Sequence, residues 1–129
     1  MVAAVVAGCI GVEELPDIDV IDVAEALQQN ESWLFEGAEH GGVALSFFLI
    51  DSPPGAGPDL HVHPYAEVFV VHEGEVTFVI GGESLSAVGG QVVVAPANRP
   101  HKFWNSGSTR LRTTNIHPST STVTEWLDL

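Results

Sequence analysis

Three histidines and one glutamate stand at spacings that suit a metal-binding site. His61 and His63 are two residues apart, so in a β-strand both imidazole rings project from the same face. Glu67 lies four residues further on, but Pro64 interrupts the strand, so a turn must re-aim the carboxylate. His101 comes from a distant segment, and only a closed or sandwiched sheet brings it into range. Three neutral imidazoles and one carboxylate are typical ligands of a divalent transition metal.

Both segments resemble the two signature motifs of the cupin family. The first family motif is Gly, five residues, His-x-His, three or four residues, Glu, six residues, Gly. Every position is matched in this chain, by Gly55, His61, His63, Glu67 and Gly74. The second is Gly, five residues, Pro-x-Gly, two residues, His, three residues, Asn, and it is matched by Gly90, Pro96, His101 and Asn105. Asn98 replaces the usual glycine, a mild departure because asparagine tolerates the left-handed backbone of a tight turn.

The cupin resemblance covers roughly residues 40–117 and implies an all-β fold with a metal in its mouth. That fold is a cupin-type β-barrel, a double-stranded β-helix that resembles a jelly roll. The residue pattern favours the same class, because 13 glycines and 8 prolines among 129 residues predict many turns between short strands. We predict strands over residues 32–36, 43–51, 60–63, 67–72, 75–80, 84–87, 91–95, 101–105 and 109–117.

The chain is predicted to form a single domain over residues 1–129, with its core at about 33–117. Residues 1–12 are interpreted as an apolar leader, and Asp22 is placed to cap a short helix that extends to Gln29. The tail covers 118–129, and its Ser/Thr-rich part up to residue 124 is predicted to be mobile. Trp126 and Leu127 are expected to dock the tail on the barrel.

Strand parity predicts which side chains share the inner face with the metal ligands. An inward Glu67 brings residues 69 and 71 inward with it, and an inward His101 does the same for residue 103. The predicted lining of a largely apolar pocket is Phe69, Val71, Phe78, Phe103 and Arg112. For most of the phenylalanines, a core position that closes the barrel is the preferred interpretation. Arg110 or Arg112 would clamp a substrate carboxylate, although exposed arginines are commoner on strands.

The outward side chains of the same strands are also largely apolar. They include Val68, Val70, Val79 and Trp104. A strand that is apolar on both faces is usually covered on both. We therefore expect a second sheet or a partner subunit over the outer face, and the cupin resemblance points to a homodimer.

The remaining histidines, His40, His72 and His117, lie outside the motifs. Each is interpreted as a surface residue or as one that contacts the ligands without binding metal. Tyr65 lies between two of the candidate ligands and is able to donate a hydrogen bond near the site. A loop aromatic is nevertheless the preferred interpretation of Tyr65.

Charge and cysteine content restrict the partners of the protein. The net charge is −13, which argues against binding to nucleic acid or to an anionic membrane surface. Cys9 is the sole cysteine, so an internal disulfide is excluded and a cytoplasmic location is expected. The tetrapeptide at residues 6–9 looks like a bacterial lipoprotein cleavage site, but no basic residue precedes it. No segment approaches the ~18 apolar residues of a membrane span.

The ligand set predicts an enzyme that acts on a small non-sugar organic molecule. Iron, manganese, nickel, cobalt, copper and zinc all suit three histidines and one glutamate. On an octahedral ion such ligands leave two positions for a chelating substrate, or for substrate and dioxygen. Dioxygenase chemistry is the leading hypothesis, and Lewis-acid isomerisation, cyclisation or lysis is the second; Glu67 is the candidate catalytic base. The alternative is a cupin that binds or senses a small ligand without turnover. A sugar-phosphate isomerase would need more cationic residues than the predicted lining offers.

Overall fold

The computed structural model describes residues 18–127, which form two antiparallel β-sheets around a shared core. Helix α1 (Ala24–Asn30) and a 3₁₀ turn (Gly37–Glu39) flank the first strand. The strands are β1 (Ser32–Glu36), β2 (Ser46–Ser52), β3 (His61–Val62), β4 (Glu67–Glu73), β5 (Glu75–Ile80), β6 (Glu83–Val88), β7 (Val92–Ala95), β8 (His101–Asn105), β9 (Leu111–His117) and β10 (Glu125–Trp126). The predicted all-β fold with a short helix near the N-terminus is confirmed. The predicted leader at 1–12 and the last two residues of the tail lie outside the described residues.

The order of the strands explains how distant segments meet. One sheet runs β1-β2-β9-β4-β7, and the other runs β10-β3-β8-β5-β6. Strand β8 therefore lies between β3 and β5. The register places His61 opposite His101 across β3 and β8, and Ile80 opposite His101 across β5 and β8. The expected approach of His101 to the other candidate ligands is thus made by the pairing of β3 with β8.

The inner faces of both sheets form a hydrophobic core next to the candidate ligands. Alternate residues of β4, β5 and β8 are buried, as expected for strands that have one face covered and whose side chains alternate between the two faces. The ring of Phe69 meets the rings of Phe78 and Phe103 with centroids 4.9 Å and 5.2 Å away, both nearly edge to face. Burial of each such side chain contributes about 1.5–3 kcal/mol to stability. These rings form a rigid floor under the polar end of the barrel.

The backbone conformation of two turns explains which residue types occur at two positions of the motifs. Gly74 joins β4 to β5 with φ of +93°, and a Cβ there would lie 2.5 Å from the carbonyl oxygen of Arg110. Glycine is therefore the residue that fits this turn. Asn98 adopts φ of 63° in the loop before β8, which confirms the left-handed backbone expected at that position. Its N–H donates to the carbonyl of His63 at 2.9 Å, so this turn also supports a candidate ligand.

Element boundaries differ from the prediction by a few residues. Strand β2 begins at Ser46 rather than at residue 43, because Gly41 and Gly42 both take positive φ and prolong the turn. Strand β9 begins at Leu111 rather than at residue 109. The prediction that Asp22 caps α1 is corrected: Val23 is the N-cap residue and makes no capping hydrogen bond with its side chain, whereas Asp22 lies one residue earlier and accepts the N–H of Ala24 through Oδ1 at 3.2 Å. Within residues 18–127, no helix is long and apolar enough to cross a membrane.

The segment predicted to be a mobile tail is instead tied to both sheets. The N–H of Thr122 donates to Glu36 Oε2 at 3.1 Å, and the carbonyl of Thr120 accepts the N–H of Ala38 at 2.8 Å. Strand β10 then pairs with β3, so that Trp126 lies opposite His61. We call residues 118–127 the C-terminal strap. Its Ser/Thr-rich composition predicted a mobile segment. The segment is ordered because it forms hydrogen bonds with residues far away in the sequence, which composition does not reveal.

Candidate metal centre

The four predicted ligands meet at one end of the barrel, where β3, β4 and β8 begin. One side-chain ligand atom from each lies within 4.8 Å of the others, and all four residues are buried. The four residues are His61, His63, Glu67 and His101. His61 and His101 begin paired strands, and Glu67 begins β4 directly after the turn at Pro64. Buried groups of this composition support one divalent transition metal.

Each of the three histidines is oriented by a backbone carbonyl. The Nδ1 atom of His61 lies 2.7 Å from the carbonyl oxygen of Asp59, and that of His101 lies 3.2 Å from the carbonyl of Arg99. The Nδ1 atom of His63 lies 2.8 Å from the carbonyl oxygen of Val123 in the C-terminal strap. A carbonyl oxygen can only accept, so each Nδ1 carries the hydrogen and each neutral ring keeps a lone pair on Nε2. Rings fixed in this way are prepared for metal binding.

The Nε2 atoms of His63 and His101 converge on the carboxylate of Glu67, and this arrangement favours a bound cation. Glu67 Oε1 lies 3.0 Å from His63 Nε2 and 3.1 Å from His101 Nε2. Among the described residues, the buried Nε2 of His63 has no hydrogen-bond partner of acceptable geometry despite the short distance. Lone pairs on nitrogen and on a carboxylate oxygen repel each other at this range, and a buried polar atom without a partner costs about 1–3 kcal/mol. A metal ion or a proton satisfies both atoms, so the residues present fit a metal.

The surroundings of Glu67 keep it ionised. Burial alone would raise the pKa of this carboxyl group, but the close contacts with His101, His117 and His63 outweigh burial and hold the pKa well below its usual range. Burial lowers the pKa of His61 below its usual value. For His63, burial also acts to lower the pKa, but contacts with Glu67 and the Val123 carbonyl prevail and raise it. Without a metal, the raised pKa of His63 and the lowered pKa of Glu67 together favour a proton on the His63 ring beside the ionised carboxylate.

A fourth histidine, which lies outside both motifs, belongs to the same cluster. His117 ends β9 and is buried, and its Nε2 lies 3.2 Å from Glu67 Oε2. Its Nδ1 lies 2.7 Å from the hydroxyl of Tyr65, which also accepts the N–H of Val123 at 3.0 Å. The interpretation of Tyr65 as a mere loop aromatic is wrong, because its hydroxyl joins the strap to this cluster. The parity of β9 would have signalled His117, since residues 111, 113 and 115 of that strand are also buried.

A cavity of about 370 Å³ opens beside the four ligands. Its walls are largely apolar, and they include Phe48, Ile50, Pro58, Phe103 and Trp126. Of the predicted lining, Phe103 reaches the cavity, whereas Phe69, Val71 and Phe78 belong to the core. The expectation for Arg112 is corrected: this side chain is exposed on the outer face of β9, and its guanidinium lies 3.7 Å from Glu73. Residues 18–127 contain four lysine and arginine residues, and none of them lines the cavity.

One amide in the cavity wall is oriented by a neighbour. Asn115 is buried, and its Oδ1 accepts the hydroxyl of Thr113 at 2.8 Å. Within the described part of the chain, its Nδ2 has no hydrogen-bond partner, and the residue lines the cavity. The amide nitrogen is therefore a donor held ready for an oxygen atom of a ligand.

Comparison with known proteins agrees with this architecture. A family model described as "Cupin domain" matches residues 48–117. The chain belongs to the cupin family. Auxin-binding protein 4 of Zea mays is 33% identical over 76 residues, which are 52% of this chain and 37% of the maize protein. This cupin thus covers little more than a third of that relative.

Solved structures resemble the cupin described here in fold. Bacillus subtilis oxalate decarboxylase, in a structure concerned with its Mn(II) centres, superposes with a TM-score of 0.66 and 19% identity over 74% of this chain and 27% of that one. A recombinant oxalate oxidase in complex with glycolate superposes with a TM-score of 0.60 and 23% identity, over 75% of this chain and 55% of the other. At these identities the likeness shows the fold alone, which confirms the predicted cupin-type barrel.

Proposed function

We propose that this cupin is a metal-dependent enzyme that acts on a small, non-sugar organic molecule held in the cavity beside the metal centre. The ligands are the four residues His61, His63, Glu67 and His101. The observation that carries this proposal is the convergence of three imidazole rings and a carboxylate, with one ligand atom of each within 4.8 Å of the others, beside a largely apolar cavity. A cytoplasmic location and a homodimeric state form part of the same proposal.

The donor set narrows the metal to a divalent transition ion. Imidazole nitrogen and carboxylate oxygen together suit manganese, iron, nickel, cobalt, copper and zinc. The Mn(II) centres of the Bacillus subtilis oxalate decarboxylase support manganese as the first ion to test. Such an ion supplies Lewis acidity when bound and, where it is redox-active, a site for oxygen chemistry.

The cavity walls indicate the chemical class of the substrate. Phe48, Ile50 and Phe103 offer contact to an apolar or aromatic body, and Asn115 offers one N–H donor to an oxygen atom. Because no lysine or arginine of the described residues lines the cavity, a sugar phosphate or a small dianion has no counter-charge apart from the metal. We therefore favour a diketone, a phenol or another enolisable molecule with two oxygens. An oxalate-like dianion, suggested by the structural neighbours, fits this wall less well.

The low pKa of Glu67 favours its role as a ligand over a role as catalytic base. A carboxylate whose pKa lies well below its usual range has little tendency to take up a proton at neutral pH. Proton abstraction by Glu67 would require it to leave its histidine partners, and those contacts stabilise the ionised form. A proton from an enolisable substrate then passes to solvent or to a bound co-substrate rather than to Glu67.

Turnover assays on defined metal forms test the proposed function. Protein loaded with manganese, iron or nickel is incubated with a panel of diketones and phenols, with and without oxygen. Turnover that requires oxygen supports the dioxygenase, and equal turnover without oxygen supports Lewis-acid chemistry. Ligand-induced thermal stabilisation without turnover in any form would refute the enzyme and favour the binding cupin.

The ligand assignment has its own control. The double variant with His61→Ala and His101→Ala is expected to lose stoichiometric metal, because two of the four donors are removed. His72→Ala serves as the matched control, since His72 lies on the outer face of β4 with Nε2 2.7 Å from Thr114 Oγ1. Metal retained at one ion per chain in the double variant would refute the assignment.

A further inference from the structure

We infer that His117 is a positioning residue of the metal centre, which holds Glu67 so that the carboxylate presents one oxygen to the metal. This inference rests on the proposed metal site and deepens it. His117 contributes no ligand atom to the group of four. Its side chain is 3% exposed, so the contact with Glu67 is shielded from water.

The two carboxylate oxygens of Glu67 have separate surroundings. Oε1 faces the Nε2 atoms of His63 and His101 at 3.0 Å and 3.1 Å. Oε2 faces the Nε2 of His117 at 3.2 Å. One oxygen therefore points to the position of the metal, and the other points to His117.

The carboxylate of Glu67 determines which nitrogen of His117 carries hydrogen. A carboxylate oxygen can only accept, so the Nε2 of His117, which lies 3.2 Å from Glu67 Oε2, carries the hydrogen and donates it. In the neutral ring, Nδ1 is then the acceptor. It receives the hydroxyl hydrogen of Tyr65 at 2.7 Å, while the hydroxyl oxygen accepts the N–H of Val123 at 3.0 Å. The ligand histidines have the opposite tautomer, because their Nδ1 atoms face carbonyl oxygens.

This arrangement affects the number of positions that remain open on the metal. A carboxylate oxygen that accepts a hydrogen bond from a buried donor is engaged elsewhere, so Glu67 would bind a metal through Oε1 alone. Without that donor, both oxygens are free to chelate, and one position needed for substrate is lost. The ring of Tyr65 also stacks on His63 with centroids 5.2 Å apart and planes 4° from parallel, so Tyr65 contacts both a candidate ligand and His117.

Binding of Co(II) tests the inference without any assay of activity. The parent is compared with His117→Leu, which removes the donor, His117→Gln, which retains an N–H donor, and Tyr65→Phe, which removes one hydroxyl. His72→Leu is the matched control, because it removes an exposed histidine from the outer face of β4. The dissociation constant is measured by competition with a chelator, and the visible absorption of Co(II) reports the coordination number.

We expect His117→Leu to weaken Co(II) binding by about 10- to 100-fold and to change the Co(II) spectrum. His117→Gln should restore both properties towards the parent, and Tyr65→Phe should shift the spectrum in the same direction as His117→Leu. His72→Leu should match the parent. Should His117→Leu fail to fold, Tyr65→Phe decides, and an affinity and a spectrum identical to the parent in that variant would overturn the inference.

The failures of the two proposals are distinguishable. If the parent binds Co(II) stoichiometrically and none of the His117 and Tyr65 variants alters affinity or spectrum, the positioning role is wrong and the metal site stands. If the parent binds no Co(II), the proposed metal site is wrong, and the role of His117 is overturned with it.

Discussion

Four buried histidines surround Glu67, and their Nδ1 contacts prepare them for two different tasks. Where Nδ1 faces a carbonyl oxygen, as in His61, the ring offers a lone pair on Nε2. Where Nδ1 faces the Tyr65 hydroxyl, as in His117, the ring offers an N–H on Nε2. Residue type alone therefore does not distinguish a ligand from a supporting residue. The backbone and hydroxyl partners make that distinction, and they come from segments far apart in the chain.

Competition between metal and protons predicts how metal affinity depends on pH. The pKa of His63 is raised above 6.5, so its proton must be displaced by the metal across a range that extends above that value. We expect affinity to rise with pH through this range and then to level off. Because burial lowers the pKa of His61, its protonation weakens binding further at more acidic pH only. Glu67 stays ionised throughout.

Dissociation constants for Mn(II), measured by chelator competition from about pH 5 to pH 9, check this dependence. Affinity that is flat over that range would contradict the assigned protonation states. The unfolding midpoint at each pH is the control, since it separates release of metal from loss of the fold.

Asn115 gives a prediction about ligand affinity. Replacing it with leucine in Asn115→Leu removes the unpaired Nδ2 donor from the cavity wall. We expect the affinity for an oxygen-bearing ligand to fall about tenfold, the worth of one hydrogen bond. Thr113→Val leaves the amide in place but releases its orientation, so its effect should be smaller. Ligand-induced shifts of the unfolding temperature measure both, and equal losses in the two variants would contradict a direct contact.

At the scale of elements, the C-terminal strap connects the two sheets at the end of the barrel where the candidate ligands lie. The carbonyl of Val123 accepts from His63, and its N–H reaches Tyr65, so this residue contacts both kinds of histidine environment. Trp126 follows, with its ring centroid 4.9 Å from that of His61 and its side chain 61% exposed. The strap thus forms one wall of the cavity while burying little surface of its own.

Trp126→Ala is expected to open the cavity without unfolding the barrel. Because the indole is largely exposed, the free energy of unfolding should change by less than about 1 kcal/mol. Release of bound metal to a chelator should become faster, since the ring no longer covers His61. Trp104→Ala is the control, because Trp104 lies on the outer face of β8. Unchanged release kinetics in Trp126→Ala, measured by stopped flow, would contradict this role of the strap.

The sequence predicted those features that depend on local spacing, and it missed those that depend on register. The four candidate ligands came from two short motifs, and β1, β5 and β8 have the bounds that were predicted. For His117 the sequence left open a surface position or a contact with the ligands, because its contact with Glu67 requires β9 to pair with β4 such that Val68 lies opposite Ile116. The ordered strap was missed for the same reason. Its partners, Glu36 and Tyr65, are more than 50 residues away.

At the scale of the whole molecule, one of the two sheets has an apolar outer face. The outer face of the sheet β1-β2-β9-β4-β7 carries a continuous band of apolar side chains across all five strands. The band comprises Trp33, Phe35, Phe47, Leu49, Val68, Val70, Val92, Val94 and Ile116. Val92 and Val94 at its edge are 58% and 56% exposed. Bands of this extent on a protein with a net charge of −13 are typical of surfaces that are covered in solution.

We predict that two copies of the chain associate through this band to form a homodimer. A double variant with Val92→Glu and Val94→Glu places two charges in the interface, and like charges on the facing subunit add repulsion, so a monomer is expected. Val88→Glu is the matched control, because Val88 is 48% exposed but lies on β6 of the other sheet. Sedimentation at micromolar concentration measures the mass of each. A monomeric parent would refute the dimer, and a double variant that remains dimeric would place the interface elsewhere. Since both valines point away from the metal centre, metal binding by the double variant should match the parent, which separates assembly from the chemistry of the site.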